Sequence, residues 1–187
     1  MASGGERPEP RDAPHQTALD PERILRQLNR AGVDYVLIGG FAVVIHGYER
    51  LTGDLDICYA RSQENVTRLV DVLRSLRAWP REWPEGVPFI LDAQTILNGD
   101  SFTFSTEAGD LDLVGTPDRS RGYGDLLPGS ETYDLADALA VHVVGLDDLI
   151  RLKYASGMNA HRSQKDLHAA VVLEEIRDRR RANKPQD

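Results

Sequence analysis

Cysteine is nearly absent from this chain of 187 residues, in which Cys58 stands alone. A single cysteine excludes an intramolecular disulfide framework and suits a reducing cytosol. No stretch approaches the roughly 18 consecutive apolar residues that a membrane-spanning helix requires. The N-terminus, MASGGERPEPRDAPHQTA, lacks the apolar segment of a secretory signal. These absences predict a cytoplasmic protein with no membrane partner.

Basic charge is also in short supply, since 22 Lys and Arg face 30 Asp and Glu and the net charge is −8. Proteins bind nucleic acid largely by neutralising its phosphates, so this balance argues against a broad nucleic-acid surface. A local basic strip in the C-terminal tail is one candidate, and a solvated helix end is the alternative. The strip consists of Arg177, Arg179, Arg180, Arg181 and Lys184. None of the five histidines has a zinc-type partner, so no zinc site is predicted.

The chain is long enough for one domain with a real core. Its 41% hydrophobic and 28% charged residues are ordinary for a globular protein. Residues 1–19 are rich in Pro, Gly and charge, which predicts a disordered tail. We expect residues 20–145 to form the core, residues 146–181 a helical part of the same domain, and residues 182–187 a second short tail.

Capping residues and apolar spacing predict the elements of the first half. Asp20 before Pro21 is typical of a helix start, since the carboxylate caps free backbone N–H groups and proline fits the first helical position. Ser62 caps a second helix with an apolar face. The predicted elements are a helix from 21 that Gly32 ends, a strand over 35–38, a short helix over 41–46, a strand around 55–57 and the helix after Ser62.

The second half begins with a proline-rich segment that is predicted to be a loop, around Pro80, Pro84 and Pro88. Two strands over 101–105 and 111–114 follow, joined by the turn 107–109. The remaining predicted elements are an extended segment over 138–144 and helices over 146–156 and 163–179. This order predicts an α+β fold, in which a small mixed β-sheet has flanking helices and is followed by C-terminal helices.

The residues that indicate chemistry begin with Gly39-Gly40, followed after thirteen residues by Asp54-Leu55-Asp56-Ile57. Residues two apart in a strand point to the same face, so Asp54 and Asp56 project side by side. Adjacent carboxylates repel each other unless a cation lies between them. Hard ions such as Mg²⁺ favour carboxylates and nucleotide phosphates. The pair therefore predicts a site for Mg²⁺ or Mn²⁺.

A third carboxylate comes from the segment Gly109-Asp110-Leu111-Asp112. Asp110 and Asp112 share one face, so periodicity does not choose between them. We prefer Asp112, because it lies within an apolar run, where a carboxylate is unexpected unless it has a function. Asp110 lies at the mouth of a turn, where Asp is common for conformational reasons.

Four residues are candidates for binding a triphosphate. A glycine pair such as Gly39-Gly40 at a strand-to-helix turn lets backbone N–H groups approach phosphate closely. Arg50 and Thr52 precede the first aspartate and can supply a cation and a hydroxyl. Each of these signals alone is weak, but their order and spacing together are specific. A haloacid dehalogenase-like phosphatase would carry Thr or Val at position 58, and a glycosyltransferase of this length would lack room for its nucleotide-binding unit.

These residues resemble the signature of the DNA polymerase β-like nucleotidyltransferase superfamily. Gly47 and the segment RLTGDLD (50–56) are similar to the branch that contains the abortive-infection type II toxins and minimal nucleotidyltransferases, as are LDDLIRLK (146–153), Arg162 and Lys165-Asp166. The resemblance covers roughly residues 23 to 176 and makes 20–145 the catalytic core. It implies that Lys153 and Asp166, on two closing helices, are functional. Two departures are Gly40 in place of a frequent serine, and His168-Ala169 where another acidic residue is expected.

The resemblance implies transfer of a nucleoside monophosphate from an NTP, by in-line attack at the α-phosphate with pyrophosphate leaving. Asp54 and Asp56 would hold both metal ions, and Asp112 the ion that activates the acceptor hydroxyl. The branch further implies RNA, with a tRNA 3′ end first, as the acceptor of a toxin that has an antitoxin protein as partner. A small molecule such as an aminoglycoside, or a protein hydroxyl, is the alternative. A silent nucleotide-binding or interaction module is a third possibility, against which the three repelling carboxylates argue.

Overall fold

A computed structural model describes residues 17–84, 87–158 and 163–183 of the chain. Most of the predicted tails, Lys184 and Arg162 lie outside these residues. The described helices are α1 (Pro21–Arg30), α2 (Gly39–Ile45), α3 (Gln63–Ser75), α4 (Ala93–Asn98), α5 (Tyr123–Leu126), α6 (Leu146–Gly157) and α7 (Ser163–Ala182), with a 3₁₀ turn at Leu127–Gly129. Among them, no helix combines the length and apolar character needed to cross a membrane.

The strands are β1 (Tyr35–Ile38), β2 (Asp54–Tyr59), β3 (Trp79–Pro80), β4 (Ser101–Thr106), β5 (Gly109–Val114), β6 (Glu131–Ala136) and β7 (Leu139–Val143). They form one mixed sheet in the order β3-β4-β5-β2-β1-β7-β6. Strand β2 is parallel to β5 and β1 is parallel to β7, whereas the other neighbours are antiparallel. The predicted α+β fold with a mixed sheet and C-terminal helices is confirmed.

The register of β2 and β5 separates an apolar face from an acidic one. Leu55 pairs with Leu111, which pairs with Phe104 of β4, and all three are fully buried. The alternate residues must then project from the opposite face, since strand side chains alternate. On that face Asp54 lies beside Asp110 and Asp56 beside Asp112.

The predicted helix starts are confirmed in detail. The Asp20 carboxylate accepts a hydrogen bond from the backbone N–H of Arg23 at 3.0 Å, and Ser62 accepts one from Asn65 at 3.2 Å. Each cap satisfies an N–H group that lacks a partner in the first helical turn.

Several parts of the secondary-structure prediction were wrong, and α5 was among the elements that it missed. The proline-rich segment was predicted to be a loop, but it contains β3 and is followed by α4, which is capped by Asp92. Proline is tolerated there because β3 is an edge strand. Edge strand β6 was also missed, because its half-exposed residues give a weak alternating pattern. The short helix predicted over 41–46 begins earlier, at Gly39, so the glycine pair forms its first turn.

Candidate active site

The three aspartates predicted from strand periodicity converge in the structure. Asp54 and Asp56 on β2 and Asp112 on β5 each offer a carboxylate oxygen, and these atoms lie within 4.8 Å of one another. The first two side chains are partly exposed, whereas Asp112 is buried. This spacing is within about 6 Å, the range over which neighbouring charges couple strongly.

The structure separates the roles of Asp110 and Asp112, which periodicity could not distinguish. Asp110 accepts hydrogen bonds from the Ser105 hydroxyl at 2.9 Å and from Arg81 at 2.8 Å. Asp112 joins the group with Asp54 and Asp56. Asp112 is therefore the third carboxylate of the group, as preferred from the sequence, and Asp110 binds an arginine beside it.

Burial raises the pKa of Asp112 to about 7. The Arg81 guanidinium opposes this increase, whereas Asp56 and Asp54 add to it by repulsion. Such crowding of carboxylates is relieved by a cation placed among them. Three carboxylate oxygens at this spacing are a donor set that suits Mg²⁺ or Mn²⁺.

The glycine turn packs directly against this carboxylate group. Gly39 has φ +65°, and a Cβ there would overlap the Asp56 carboxylate. The N–H of Gly40 donates to Asp56 Oδ2 at 3.3 Å. A Cβ on Gly40 would lie 2.6 Å from the Thr52 hydroxyl oxygen, which itself donates to Asp54 Oδ1 at 3.2 Å. A side chain at position 40 would therefore require Thr52 to shift.

One cleft of about 980 Å³ collects every site residue predicted from the sequence. The sheet and the turn that follows β1 form one side, and α6 and α7 provide other lining residues. The predicted residues that line the cleft are Gly39, Gly40, Arg50, Thr52, Asp54, Asp56, Asp112, Lys153 and Asp166. Residues separated by more than one hundred positions therefore face a common space.

Lys153 and Asp166 form an ion pair within the wall of this cleft. The ammonium group of Lys153 on α6 donates to Asp166 Oδ1 on α7 at 2.8 Å, and each side chain is only 11% exposed. A buried charge without a partner is costly, and here each residue compensates the charge of the other. The pair also ties α6 to α7 beside the cleft.

Arg81 contacts the site but was not predicted to do so. It follows β3, where its N–H donates to the Thr103 carbonyl at 2.8 Å, and its guanidinium binds Asp110 and Asp112. The only sequence signal was an arginine two residues after a tryptophan in a proline-rich segment, which is weak.

The C-terminal arginines do not extend from the protein as a free basic strip. Arg177 and Arg181 pair with Asp147, at 3.4 and 3.0 Å. Arg179 pairs with Glu175 and Arg180 with Glu131, at 3.3 and 3.7 Å. Their charge is therefore largely compensated locally.

No protein-family model matches the sequence, and no curated protein matches it at a significant level. Among solved structures, the lincosamide antibiotic adenylyltransferase LnuA, bound to lincomycin, is similar with a TM-score of 0.54 and 13% identity over 84% of this chain and 99% of its own. ANT(2'')-Ia in complex with adenylyl-2''-tobramycin has a TM-score of 0.51 and 14% identity, over 86% and 94%.

An antigenic nucleotidyltransferase-like protein from Paracoccidioides brasiliensis is similar with a TM-score of 0.54 and 14% identity, over 84% of this chain and 78% of its own. Similarity at such low identity establishes the fold. The chain therefore has the fold of these nucleotidyltransferases.

Proposed function

We propose that the protein is a metal-dependent nucleotidyltransferase that moves a nucleoside monophosphate from an NTP to an acceptor hydroxyl. One observation carries this proposal: three carboxylates lie within 4.8 Å of one another in a cleft that also holds the Gly39-Gly40 turn and Arg50. The fold also supports the proposed activity, because the motif formed by Gly39-Gly40 and Asp54-Leu55-Asp56 is expected in the nucleotidyltransferase fold.

Asp54, Asp56 and Asp112 would hold Mg²⁺ or Mn²⁺ in this cleft. When bound, such ions lower the pKa of an attacking hydroxyl and neutralise charge that develops on the leaving pyrophosphate. The Thr52 hydroxyl and the Gly40 N–H hold the first two carboxylates in place through their hydrogen bonds to Asp54 and Asp56.

The remaining residues of the cleft would bind the nucleotide, order the cleft wall or accept a proton. Arg50 lines the cleft and supplies a cation for the triphosphate. The Lys153–Asp166 pair, on two helices of the cleft wall, orders the surface that faces the nucleotide or acceptor. Asp112 would hold the ion beside the acceptor hydroxyl and accept the proton of that hydroxyl.

Two acceptors are proposed, each with its own support. The segments around Lys153 and Asp166 resemble toxins that act on RNA, which favours a tRNA 3′ end and an antitoxin partner. A small hydroxylated molecule is favoured by two of the structural neighbours, described as bound to lincomycin and to adenylyl-2''-tobramycin. The net charge of −8 and the ion-paired arginines of α7 also favour the small molecule.

The test is to incubate the protein with each α-labelled NTP and Mg²⁺, with total RNA in one arm and a panel of aminoglycosides and lincosamides in the other. We expect label to move to one acceptor class, and EDTA or the Asp56→Asn variant to abolish the transfer while far-UV circular dichroism is unchanged. NTP binding that is equal with and without metal, together with no labelled acceptor, would contradict the proposal. Label on RNA alone would select the toxin interpretation.

A further inference from the structure

Arg81 lies at the edge of the sheet, where it can reach across two strands to the carboxylate group. Its backbone N–H donates to the Thr103 carbonyl at 2.8 Å, which continues the pairing between β3 and β4. Thr103 pairs with Asp112 across β4 and β5. The backbone therefore places the Arg81 guanidinium next to Asp112, and its side chain is only 27% exposed.

The guanidinium bridges two carboxylates. Nη1 donates to Asp110 Oδ2 at 2.8 Å, and Nη2 donates to Asp112 Oδ1. The other oxygen of Asp110 accepts from the Ser105 hydroxyl at 2.9 Å, so Asp110 is held in place from both sides. A planar guanidinium with two such contacts has little freedom to rotate. Asp110 therefore acts as the anchor of Arg81.

Occupation of Oδ1 restricts how Asp112 can bind an ion. Arg81 occupies one of the two lone pairs of Oδ1, so it competes with a metal ion for this oxygen. The guanidinium charge also repels a divalent ion placed beside Asp112, because charges a few ångströms apart interact strongly when partly shielded from water. The same charge offsets the repulsion among the three site carboxylates before metal is bound.

We propose that Arg81, anchored by Asp110, is a positioning residue that fixes the orientation of the Asp112 carboxylate and weakens its hold on a metal ion in the absence of nucleotide. This inference rests on the proposed function. The negative charge of an NTP in the cleft then compensates the guanidinium. The affinity of Asp112 for the ion therefore reaches its full value only when the NTP is bound. Arg81 thus links metal binding to nucleotide binding.

The experiment is a titration of the nucleotide-free protein with Mn²⁺, followed by electron paramagnetic resonance, in parallel with the transfer rate at saturating Mg²⁺ and NTP. Arg81→Gln should bind Mn²⁺ about tenfold more tightly, since one nearby positive charge is removed, yet transfer more slowly because Asp112 loses its fixed orientation. Arg77→Gln is the matched control. Arg77 lies four residues earlier, is 73% exposed, and pairs with Glu107 rather than with the site.

Arg81→Lys separates charge from geometry, because lysine keeps the charge but cannot bridge two carboxylates as a fork. We expect Mn²⁺ affinity within about twofold of the wild type and a transfer rate at least about tenfold lower. Circular dichroism identifies any variant that fails to fold. If Arg81→Gln fails to fold, the transfer rate of Arg81→Lys still tests the role of Arg81.

Several outcomes would overturn the role of Arg81. They are equal Mn²⁺ affinities in Arg81→Gln and Arg77→Gln, weaker Mn²⁺ binding by a folded Arg81→Gln protein, or a wild-type transfer rate in Arg81→Lys. A separate result bears on the proposed function: wild-type protein that binds no Mn²⁺ even with NTP present would refute the metal-dependent mechanism itself. The two failures are therefore distinguishable.

Discussion

Replacement of Asp112 by Asn is expected to stabilise the metal-free protein at pH 8 while it abolishes transfer. Burial raises the pKa of this carboxyl from 3.8 to about 7, so ionisation opposes folding. Asparagine resembles the protonated acid in size and in its ability to accept a hydrogen bond from Arg81, but it carries no charge. The variant should therefore fold without the cost of a buried carboxylate, and it lacks the group that we propose as metal ligand and proton acceptor.

The magnitude follows from the difference between the two pKa values. The native state holds a proton that the unfolded chain releases, so the stabilisation is fully present below about pH 4 and is lost as the pH rises to about 7. Roughly three pKa units correspond to at most about 4 kcal/mol. Within this window the wild-type protein should lose up to about 1.4 kcal/mol per pH unit through this group.

The assay is urea unfolding in EDTA at pH 5, 6, 7 and 8, followed by tryptophan fluorescence. The free energy of unfolding of Asp112→Asn relative to wild type should increase with pH and reach about 2–4 kcal/mol at pH 8. Asp71→Asn, which removes an exposed carboxylate on α3, is the control and should show no such trend. Mg²⁺ should stabilise the wild type at pH 8 more than the variant. A variant that is less stable than wild type at pH 8 would refute the reasoning.

Two further predictions concern packing around the cleft. Gly39→Ala should cost about 2–4 kcal/mol of stability and weaken Mn²⁺ binding, because it adds both a strained positive φ and an overlap with Asp56. The control is Gly32→Ala, at φ +66° in open space, which should cost only about 1 kcal/mol. Equal costs for the two variants would contradict the packing argument. Lys153→Met should destabilise the fold by about 3–5 kcal/mol in urea unfolding, because it leaves Asp166 buried without its partner. The double variant with Asp166→Leu should regain most of that stability but not transfer activity, whereas recovered activity would make the pair purely structural.

Features that depend on neighbours along the chain could be predicted from the sequence alone. The caps at Asp20 and Ser62, the strand that ends just before Gly39, and the shared face of Asp54 and Asp56 all follow from spacings of a few residues. Local hydrogen bonds and the alternation of side chains produce these features in nearly any tertiary context. The resemblance then extended the prediction to Lys153 and Asp166, and the cleft contains both.

The contacts between groups across the sheet and between helices depend on the tertiary structure and could not be predicted from local patterns. Asp110 and Asp112 are equivalent in the alternating pattern, but Asp112 is buried and lies close to both Asp54 and Asp56. Arg81, which contacts both Asp110 and Asp112, follows a strand that no local pattern predicted. The sequence left the arginines of α7 as either a basic strip or a solvated helix end, and only the structure places Asp147, Glu131 and Glu175 beside them. Strand register and helix packing bring such pairs together over long separations, and periodicity carries no record of them.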